Sequence, residues 1–428
     1  MNAKPRIRNG LFRKALILEA PDPSLDGLLA QMGIEVNRYD RALSEEELVE
    51  TIAEGGHDLI FKRSRTPITR AVVEAGSSLA AIMLCCIGDD SVDKQATADH
   101  GVLVVNDPVS NGRSVVEMVL GEAVCCARRL IPAHLETSNH YFSKSNADRY
   151  ELMGRVMGVF GLGNIGKQVA QTAQAFGMEV VFYDTREVAV EVGLAMGWRA
   201  VNSLQDLFAA SNVVTVHISA EDHEGQSNEN IISFDDFVAF KAASKDGPRI
   251  FINAGRGFVH SSEDLLRAVN EGYVQSAFVD VFPEEPKSKS DVWQNPYAGC
   301  ENIFTTPHIG AATQEAQPRI ARQIAKTTQL LNYRGTLRDC VYRPGRALSI
   351  DPTPGDPILA VVHSTARGTK KAVDDAVFHA GASNVQSTHR DFNRYGIAYD
   401  LVLLDAPLSE EQVHQLIDRA VELTGDPC

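Results

Sequence analysis

The 428-residue chain carries seven cysteines, but none of them stand at CxxC spacing; four fall in the adjacent pairs Cys85–Cys86 and Cys125–Cys126. This excludes the common zinc and dithiol motifs, and no metal site is expected. An odd number of thiols reads as reduced cysteines in a cytoplasmic setting, not a disulfide framework. Long apolar runs are also missing. The most apolar helical stretch, Val115–Ala127, is interrupted by Glu117 and Glu122 and is too short and too charged to cross a bilayer. The opening MNAKPRIRNGLFRKALILEA has neither a long apolar core nor a small-residue cleavage site, so it reads as a basic tail leading into a strand, Lys14 to Glu19. Positive charge is scarce: 41 Lys and Arg against 56 Asp and Glu give a formal net charge of −15. Such a chain repels phosphate backbones and anionic membranes, which argues against nucleic-acid and membrane partners. It repels small anions as well, so an anionic substrate would need a local Arg or Lys. There is no low-complexity tract and no short internal repeat.

What is present is 44% apolar residues in a chain long enough for two to four domains. In the first hundred residues, KALILEA, HDLIFKRS, LAAIMLCCIG and GVLVVND read as strands, and SLDGLLAQMG, EEELVETIAEGG and RAVVEAGSS as helices. Strand–helix alternation of this kind predicts a parallel sheet covered on both faces. A long helix follows from about Arg113 to Leu130, opened by Ser110 and Asn111. A second series then has the strands VMGVFG, MEVVFYD, NVVTVHI, RIFINAG, SAFVDVF and NIFTTPH, and a helix from about Thr313 to Asn332. The expectation is an α/β protein with two doubly wound, Rossmann-like domains and a cleft between them. After the Pro- and Gly-punctuated RPGRALSIDPTPGDP, a βαββα pattern suggests a small ferredoxin-like domain. The expected division is a first domain from 1–110 and 308–345, a second from 111–307, a linker at 346–355 and a terminal domain at 356–428.

The second series opens with Val156–Phe160, then Gly161-Leu162-Gly163-Asn164-Ile165-Gly166 and the helix KQVAQTAQAFG. This is GxGxxG between a strand and a helix, the context that gives the pattern meaning. Gly161 permits the turn, Gly163 lets backbone approach a pyrophosphate, and Gly166 allows the helix to pack on the strand. The helix N-terminus offers N–H groups to phosphates. Asp184 ends the next strand, 18 residues beyond Gly166, where a carboxylate binds ribose hydroxyls and repels a 2′-phosphate. NAD is therefore favoured over NADP, with Arg186 the one dissenting neighbour.

Three later strand ends carry unusual polar groups: Arg256 after RIFINAG, Glu285 after SAFVDVF and His308 after NIFTTP. Ligands of open α/β sheets sit outside the carboxyl ends of strands. A histidine there can take a hydroxyl proton, a carboxylate can orient it and raise its pKa, and an arginine can hold a substrate carboxylate.

At these residues the chain resembles the D-isomer-specific 2-hydroxyacid dehydrogenases, over roughly 14–345. INAGRGFVHSSEDLL, VDVFPEEP and TPHIGAATQEAQ look like the family's arginine, glutamate and histidine motifs, which implies Arg256, Glu285 and His308 as catalytic residues. The resemblance further implies cofactor contacts from Asn164, Ile165, His217, Ala254, Gly255, Arg256, Asp280, His308 and Gly310, with Asp280 on the nicotinamide carboxamide. Arg63-Ser64 resembles a pair that grips a phosphorylated substrate, Lys62 and Arg65 completing a basic cluster. Ile87-Gly88 resembles the backbone that receives the substrate carboxylate, and Asn111 an asparagine facing substrate; Arg256 and His308 would touch substrate too. The implied activity is NAD-linked oxidation of a D-2-hydroxy acid, with D-3-phosphoglycerate, converted to 3-phosphohydroxypyruvate, as the leading substrate. Reduction of glyoxylate or hydroxypyruvate, or NAD sensing without catalysis, are the alternatives.

Some positions depart from the family pattern. Asp89 stands where Thr is usual, and Ser219 replaces a Pro in the cofactor loop. The terminal segment is similar in outline to an ACT regulatory domain and keeps His363, but the stretch Thr365-Ala366-Arg367-Gly368 departs from the effector motif that follows, so no effector is implied. The helix from Arg113 to Leu130 has apolar residues on more than one face, including Val115, Val116, Met118, Val119, Leu120, Val124 and Cys125. One face packs inward and another is expected to pair subunits, as homodimer or homotetramer.

Overall fold

The computed structural model describes residues 6–243, 247–286, 291–342 and 347–424. Internal packing divides the chain into a contiguous unit, Asn111–Ala316, and a second unit made of the flanking Met1–Ser110 and Gln317–Cys428.

The flanking unit is built on five parallel strands: β1 (Lys14–Leu18), β2 (Glu35–Tyr39), β3 (Leu59–Lys62), β4 (Ala81–Leu84) and β5 (Leu103–Val105). Their order is β2-β1-β3-β4-β5. Strands covered on both faces bury every side chain, which is why β1, β3, β4 and β5 read as unbroken apolar runs. Burial of a residue such as Leu16 or Ile17 contributes roughly 1.5–3 kcal/mol each. The edge strand β2 is EVNRY, only partly buried, and has no apolar alternation by which sequence could reveal it. The helix Glu45–Gly55 starts with a capping box: the Ser44 hydroxyl accepts from Glu47 N at 3.2 Å and the Glu47 carboxylate accepts from Ser44 N at 3.0 Å.

The contiguous unit holds seven parallel strands: β6 (Val156–Phe160), β7 (Glu179–Tyr183), β8 (Arg199–Ala200), β9 (Val213–Val216), β10 (Ile250–Asn253), β11 (Ser276–Val279) and β12 (Ile303–Thr305). The order β12-β11-β10-β9-β6-β7-β8 reverses direction between β6 and β9. That reversal is the switch point at which doubly wound sheets bind nucleotides. The long helix, Gly112–Arg128, ends where Arg129 turns left-handed (φ 52°), and a shorter helix, Leu130–Ser138, follows. Asn111 occupies the N-cap position but makes no capping bond, contrary to the reading of Ser110 and Asn111 as helix openers. Asp107 instead accepts from Val109 N and Ser110 N at 3.1 and 3.0 Å.

The terminal segment folds as β13 (Ile358–Ser364), the helix Thr369–His379, β14 (Asn384–Phe392), β15 (Ile397–Leu404) and the helix Glu410–Thr424. Its antiparallel sheet has the order β13-β15-β14. This segment differs from the expected free-standing domain in one respect. Phe392, Tyr395, Ile397, Tyr399, Leu401 and Leu403 belong to the same core as the first sheet. Tyr342 donates to the Val102 carbonyl, Tyr399 donates to Gly335 O at 2.5 Å, and Val105 bridges Cys340. Residues 343–346, at the boundary between the first domain and the expected linker, lie outside the described residues, as do the first five of the N-terminal tail. No disulfide joins the described cysteines, and no described helix is long and apolar enough to cross a membrane.

Candidate active site

The dinucleotide turn sits at the carboxyl end of β6. Gly161 has φ +88°, and a Cβ there would lie 2.7 Å from the His217 carbonyl oxygen. A Cβ on Gly166 would fall 2.0 Å from the Gly161 carbonyl oxygen, so only glycine lets the helix Asn164–Ala175 start this close to the strand. Gly163 is different: the nearest group to its missing Cβ is Arg186 Nη2, 4.0 Å away. The turn is thus closed on its inner side and open on its outer side, as a backbone cradle for a pyrophosphate requires. Asn164 and Ile165 form the first turn of the helix.

Asp184, at the end of β7, faces this turn. Its side chain is 5% exposed and accepts from Leu162 N at 2.8 Å. Arg186 binds the same carboxylate with its backbone N–H, Nε and Nη2 at 2.9, 3.0 and 2.7 Å. Burial pulls the Asp184 carboxyl upward, but the Arg186 and Leu162 bonds outweigh it and hold it below the ordinary carboxylate value. Arg186, which sequence marked as a dissenter, is here the partner that keeps Asp184 ionised. His217, after β9, places Nε2 2.9 Å from Thr215 Oγ1, and burial pushes it down to about 3, so it stays neutral. Ser219 and the polar stretch after it close on themselves, with Asn228 Nδ2 donating to Ser219 O at 2.9 Å.

The three strand-end residues come together. Glu285 Oε2 lies 2.8 Å from His308 Nδ1, and its Oε1 accepts from Phe282 N at 3.1 Å. The bond to Glu285 raises the His308 pKa against the pull of burial. Burial works to raise Glu285, but the imidazole, the Phe282 N–H and the nearby Arg256 charge outweigh it and lower it. Nε2 of His308 forms no bond among the described residues, and the side chain is half exposed. His308 is held in a left-handed backbone (φ 54°), uncommon for a residue with a side chain. Asp280 imposes that turn. Its carbonyl accepts from His308 N at 2.8 Å, and its buried carboxylate accepts from Thr306 Oγ1 (2.6 Å), Ile309 N (2.8 Å) and Gly310 N (2.8 Å).

Asn253 plays the matching part for the arginine loop. Its Nδ2 donates to Arg256 O at 2.9 Å and its Oδ1 accepts from Gly255 N at 3.0 Å. Ala254 and Gly255 therefore lead Arg256 out on a fixed path, and the Gly255 Cα passes close to the Val216 carbonyl at the end of β9. Asn253 was not singled out in the sequence, although a polar residue ending the apolar strand IFIN is a signal. Glu122 was also missed. It lies on the helix Gly112–Arg128, 4% exposed, and neither carboxylate oxygen has a partner among the described residues. Burial, with a contribution from Asp280, pushes it up to about 8. Asn111 is buried as well, with Oδ1 unpartnered.

Arg63, Ser64, Ile87 and Gly88 belong to the flanking unit. Arg63 and Ser64 follow β3 and are half-buried and exposed, respectively. Lys62 departs from the expected basic cluster. It is fully buried, its ammonium donating to Arg63 O (2.8 Å) and Ser91 Oγ (2.7 Å), so it supports the loop and leaves Arg63 and Arg65 as the cations. Ile87 and Gly88 follow β4, where Ile87 O accepts from Asn106 Nδ2 at 2.7 Å. Asp89 pairs with Lys94 at 3.3 Å, which neutralises much of the charge that stood out in the sequence.

Known proteins resemble this chain in sequence and in fold. The model of the D-isomer specific 2-hydroxyacid dehydrogenase NAD binding domain matches residues 120–310. The chain is 37% identical over 303 residues to D-3-phosphoglycerate dehydrogenase of Haemophilus influenzae, covering 71% of this chain and 70% of that protein. It is 31% identical over 382 residues to the enzyme of the same name from Escherichia coli K12, covering 89% and 88%. Among solved structures, D-lactate dehydrogenase from Aquifex aeolicus complexed with NAD and lactic acid superposes with a TM-score of 0.62 at 23% identity, over 74% of this chain and 95% of that one. A glyoxylate reductase from Paecilomyces thermophila gives 0.64 at 20% identity, over 77% and 98%.

Proposed function

The chain belongs to the D-isomer specific 2-hydroxyacid dehydrogenases, which makes it an NAD-dependent oxidoreductase, and we propose that it oxidises D-3-phosphoglycerate to 3-phosphohydroxypyruvate. The observation that carries this reading is the match to two enzymes named for that substrate over most of their length, combined with the His308–Glu285 pair at 2.8 Å. NAD, when bound, supplies a nicotinamide ring that takes a hydride from C2 of the hydroxy acid. The protein supplies the rest. His308 accepts the hydroxyl proton on Nε2, the nitrogen that Glu285 leaves free. Glu285 fixes the tautomer and stabilises the imidazolium that results. Arg256 holds the substrate carboxylate and the oxygen that becomes a carbonyl. Asp280 and Asn253 are positioning residues that hold the histidine and arginine loops. The glycine turn of Gly161, Gly163 and Gly166 takes the cofactor phosphates, and Asp184 takes the ribose.

Arg63, with Ser64, is assigned to the substrate phosphate, because a guanidinium presents a bidentate fork that suits its two negative charges. Ile87, Gly88 and Asn111 are assigned to the substrate carboxylate end. We further assign the partly exposed apolar residues of Gly112–Arg128, Met118, Val124 and Cys125, to pairing of two subunits. We assign the terminal segment to an ACT-type fold, a reading that its strand order β13-β15-β14 supports. The test is kcat/KM for phosphorylated and unphosphorylated acids in wild type and Arg63→Ala. A charge-assisted contact is worth roughly 1.5–3 kcal/mol, so KM for 3-phosphoglycerate should rise about 10- to 150-fold while hydroxypyruvate is barely affected. A wild type without preference for the phosphorylated acid would replace this substrate with glyoxylate or hydroxypyruvate.

A further inference from the structure

Outside the dehydrogenase site, three neighbouring strands of the terminal sheet bring His363, His389 and Asp400 onto one face. His389 on β14 stands directly opposite Asp400 on β15. Across the other ladder Asp400 faces Val361, two residues before His363 on β13. A pleat of period two then sets all three side chains on the same side. Asp400 is fully buried, the His363 side chain is 7% exposed and that of His389 is 31% exposed. Asp400 Oδ2 lies 2.8 Å from His363 Nε2, and Oδ1 lies 2.9 Å from His389 Nδ1.

A count of donors and acceptors leaves something missing. His363 Nδ1 lies 2.8 Å from the Ser364 carbonyl oxygen, and His389 Nε2 lies 3.0 Å from Asp391 Oδ1. All four ring nitrogens thus face oxygens, and carbonyl and ionised carboxylate oxygens only accept. A neutral imidazole has one N–H. One nitrogen on each neutral ring is therefore a lone pair facing an oxygen, and with the proton on the far nitrogen that lone pair faces Asp400 at less than 3 Å. Positive charge between them would satisfy both lone pairs and the carboxylate. It is either two additional protons or one divalent cation, and exchanging one for the other conserves charge. The surroundings favour the cation. Each histidine is oriented through its far nitrogen by an oxygen, the arrangement that fixes metal-ligating imidazoles. The two rings lie nearly parallel at 5.9 Å, unfavourable for two imidazolium ions. Lys370, on the helix Thr369–His379, is 3.3 Å from Asp400 Oδ1 but also 2.8 Å from Asp374, which can keep it when Asp400 turns to a metal.

We propose that His363 Nε2, His389 Nδ1 and Asp400 bind one divalent transition metal of the Zn²⁺ class. The donor atoms already lie within 4.8 Å of one another. Tetrahedral bonds of 2.0–2.1 Å place ligand atoms about 3.4 Å apart, so the two short contacts open by about half an ångström. Two imidazoles and a carboxylate suit zinc, cobalt or nickel better than magnesium or calcium, and leave a fourth position for water. The partly exposed His389 marks the way in. The sequence pattern could not reveal this set, because its members are 26 and 11 residues apart, with no short motif.

The experiment is calorimetric titration of the full-length, chelator-stripped protein with Zn²⁺ at pH 7.5, with Co²⁺ absorption as a second readout. The wild type should take up one equivalent per chain and give the intense visible band of four-coordinate cobalt. His389→Gln, at the most exposed ligand, should bind at least 100-fold more weakly and lose that band. Asp391→Asn, which removes only the group that orients His389, should weaken binding about 10-fold. Lys370→Met, which removes the competing ammonium, should tighten it several-fold. Circular dichroism of each variant confirms folding. A wild type with no saturable equivalent, or His389→Gln binding as tightly as wild type, would overturn the proposal.

Discussion

His308 with Glu285 and His363 with Asp400 each bring an imidazole nitrogen to 2.8 Å from a carboxylate oxygen, yet their surroundings differ in two ways. The first pair is open: the His308 side chain is 51% exposed and the Glu285 side chain 35%. The second is sealed, at 7% and 0%. More important is the other ring nitrogen. Among the described residues nothing bonds His308 Nε2, which leaves it for the substrate hydroxyl in the proposed reaction. His363 spends its Nδ1 on the Ser364 carbonyl, so nothing remains for a substrate. A carboxylate beside a histidine therefore does not mark a catalytic site by itself. What marks it is a second nitrogen that the fold leaves unbound.

The hardest test of this comparison is removal of the free nitrogen. His308→Ala should lower kcat by about 10²–10⁴-fold while NADH binding, followed by fluorescence titration, stays near normal. Turnover close to wild type would show that Nε2 takes no proton and would collapse the distinction. A smaller effect is expected when only the carboxylate is altered. Glu285 raises the His308 pKa, and oxidation needs the unprotonated imidazole, so activity in that direction rises with pH through the raised value. Glu285→Gln should therefore move the acid limb of the oxidation profile to lower pH and reduce kcat less than His308→Ala. A limb that does not move would mean Glu285 holds the ring without tuning it.

Glu122 sharpens the comparison from the other side, as a buried carboxyl with no histidine. In the folded chain it keeps its proton up to about 8, whereas the unfolded chain releases it near 4.5. Between those values the unfolded state binds fewer protons than the native one, so this residue's contribution to stability falls as pH rises. Glu122→Gln should thus gain over wild type by about 1–3 kcal/mol at pH 8.5 and by little at pH 5, measured by urea unfolding. An equal gain at both pH values would sever the effect from ionisation.

Much of the dehydrogenase site was legible because its signals are local. Gly161, Gly163 and Gly166 fall within six residues, and Arg256, Glu285 and His308 each lie three to six residues beyond the end of an apolar strand. What escaped depends on distance or on polarity. β2 is a partly exposed edge strand without alternation, and the helix Lys94–Asp99 is too short to show a period. Glu122 read only as an interruption of an apolar helix. Asp280 was read as a cofactor contact, whereas three of its oxygen lone pairs already serve the histidine turn. The terminal segment reads as detached because Pro and Gly punctuation resembles a boundary. The shared core depends on which face of β15 meets the first sheet, which no local pattern encodes.

That shared core has a consequence for how the protein is made. The first hundred residues cannot complete their packing until Ile397, Tyr399, Leu401 and Leu403 have been synthesised. Chain elongation proceeds at about 5–20 residues per second, so the early strands wait on the order of 15–60 seconds after leaving the ribosome. The contiguous unit, Asn111–Ala316, is synthesised wholly within that interval. A stop codon near the C-terminus would thus leave part of the core built by the very start of the protein uncovered.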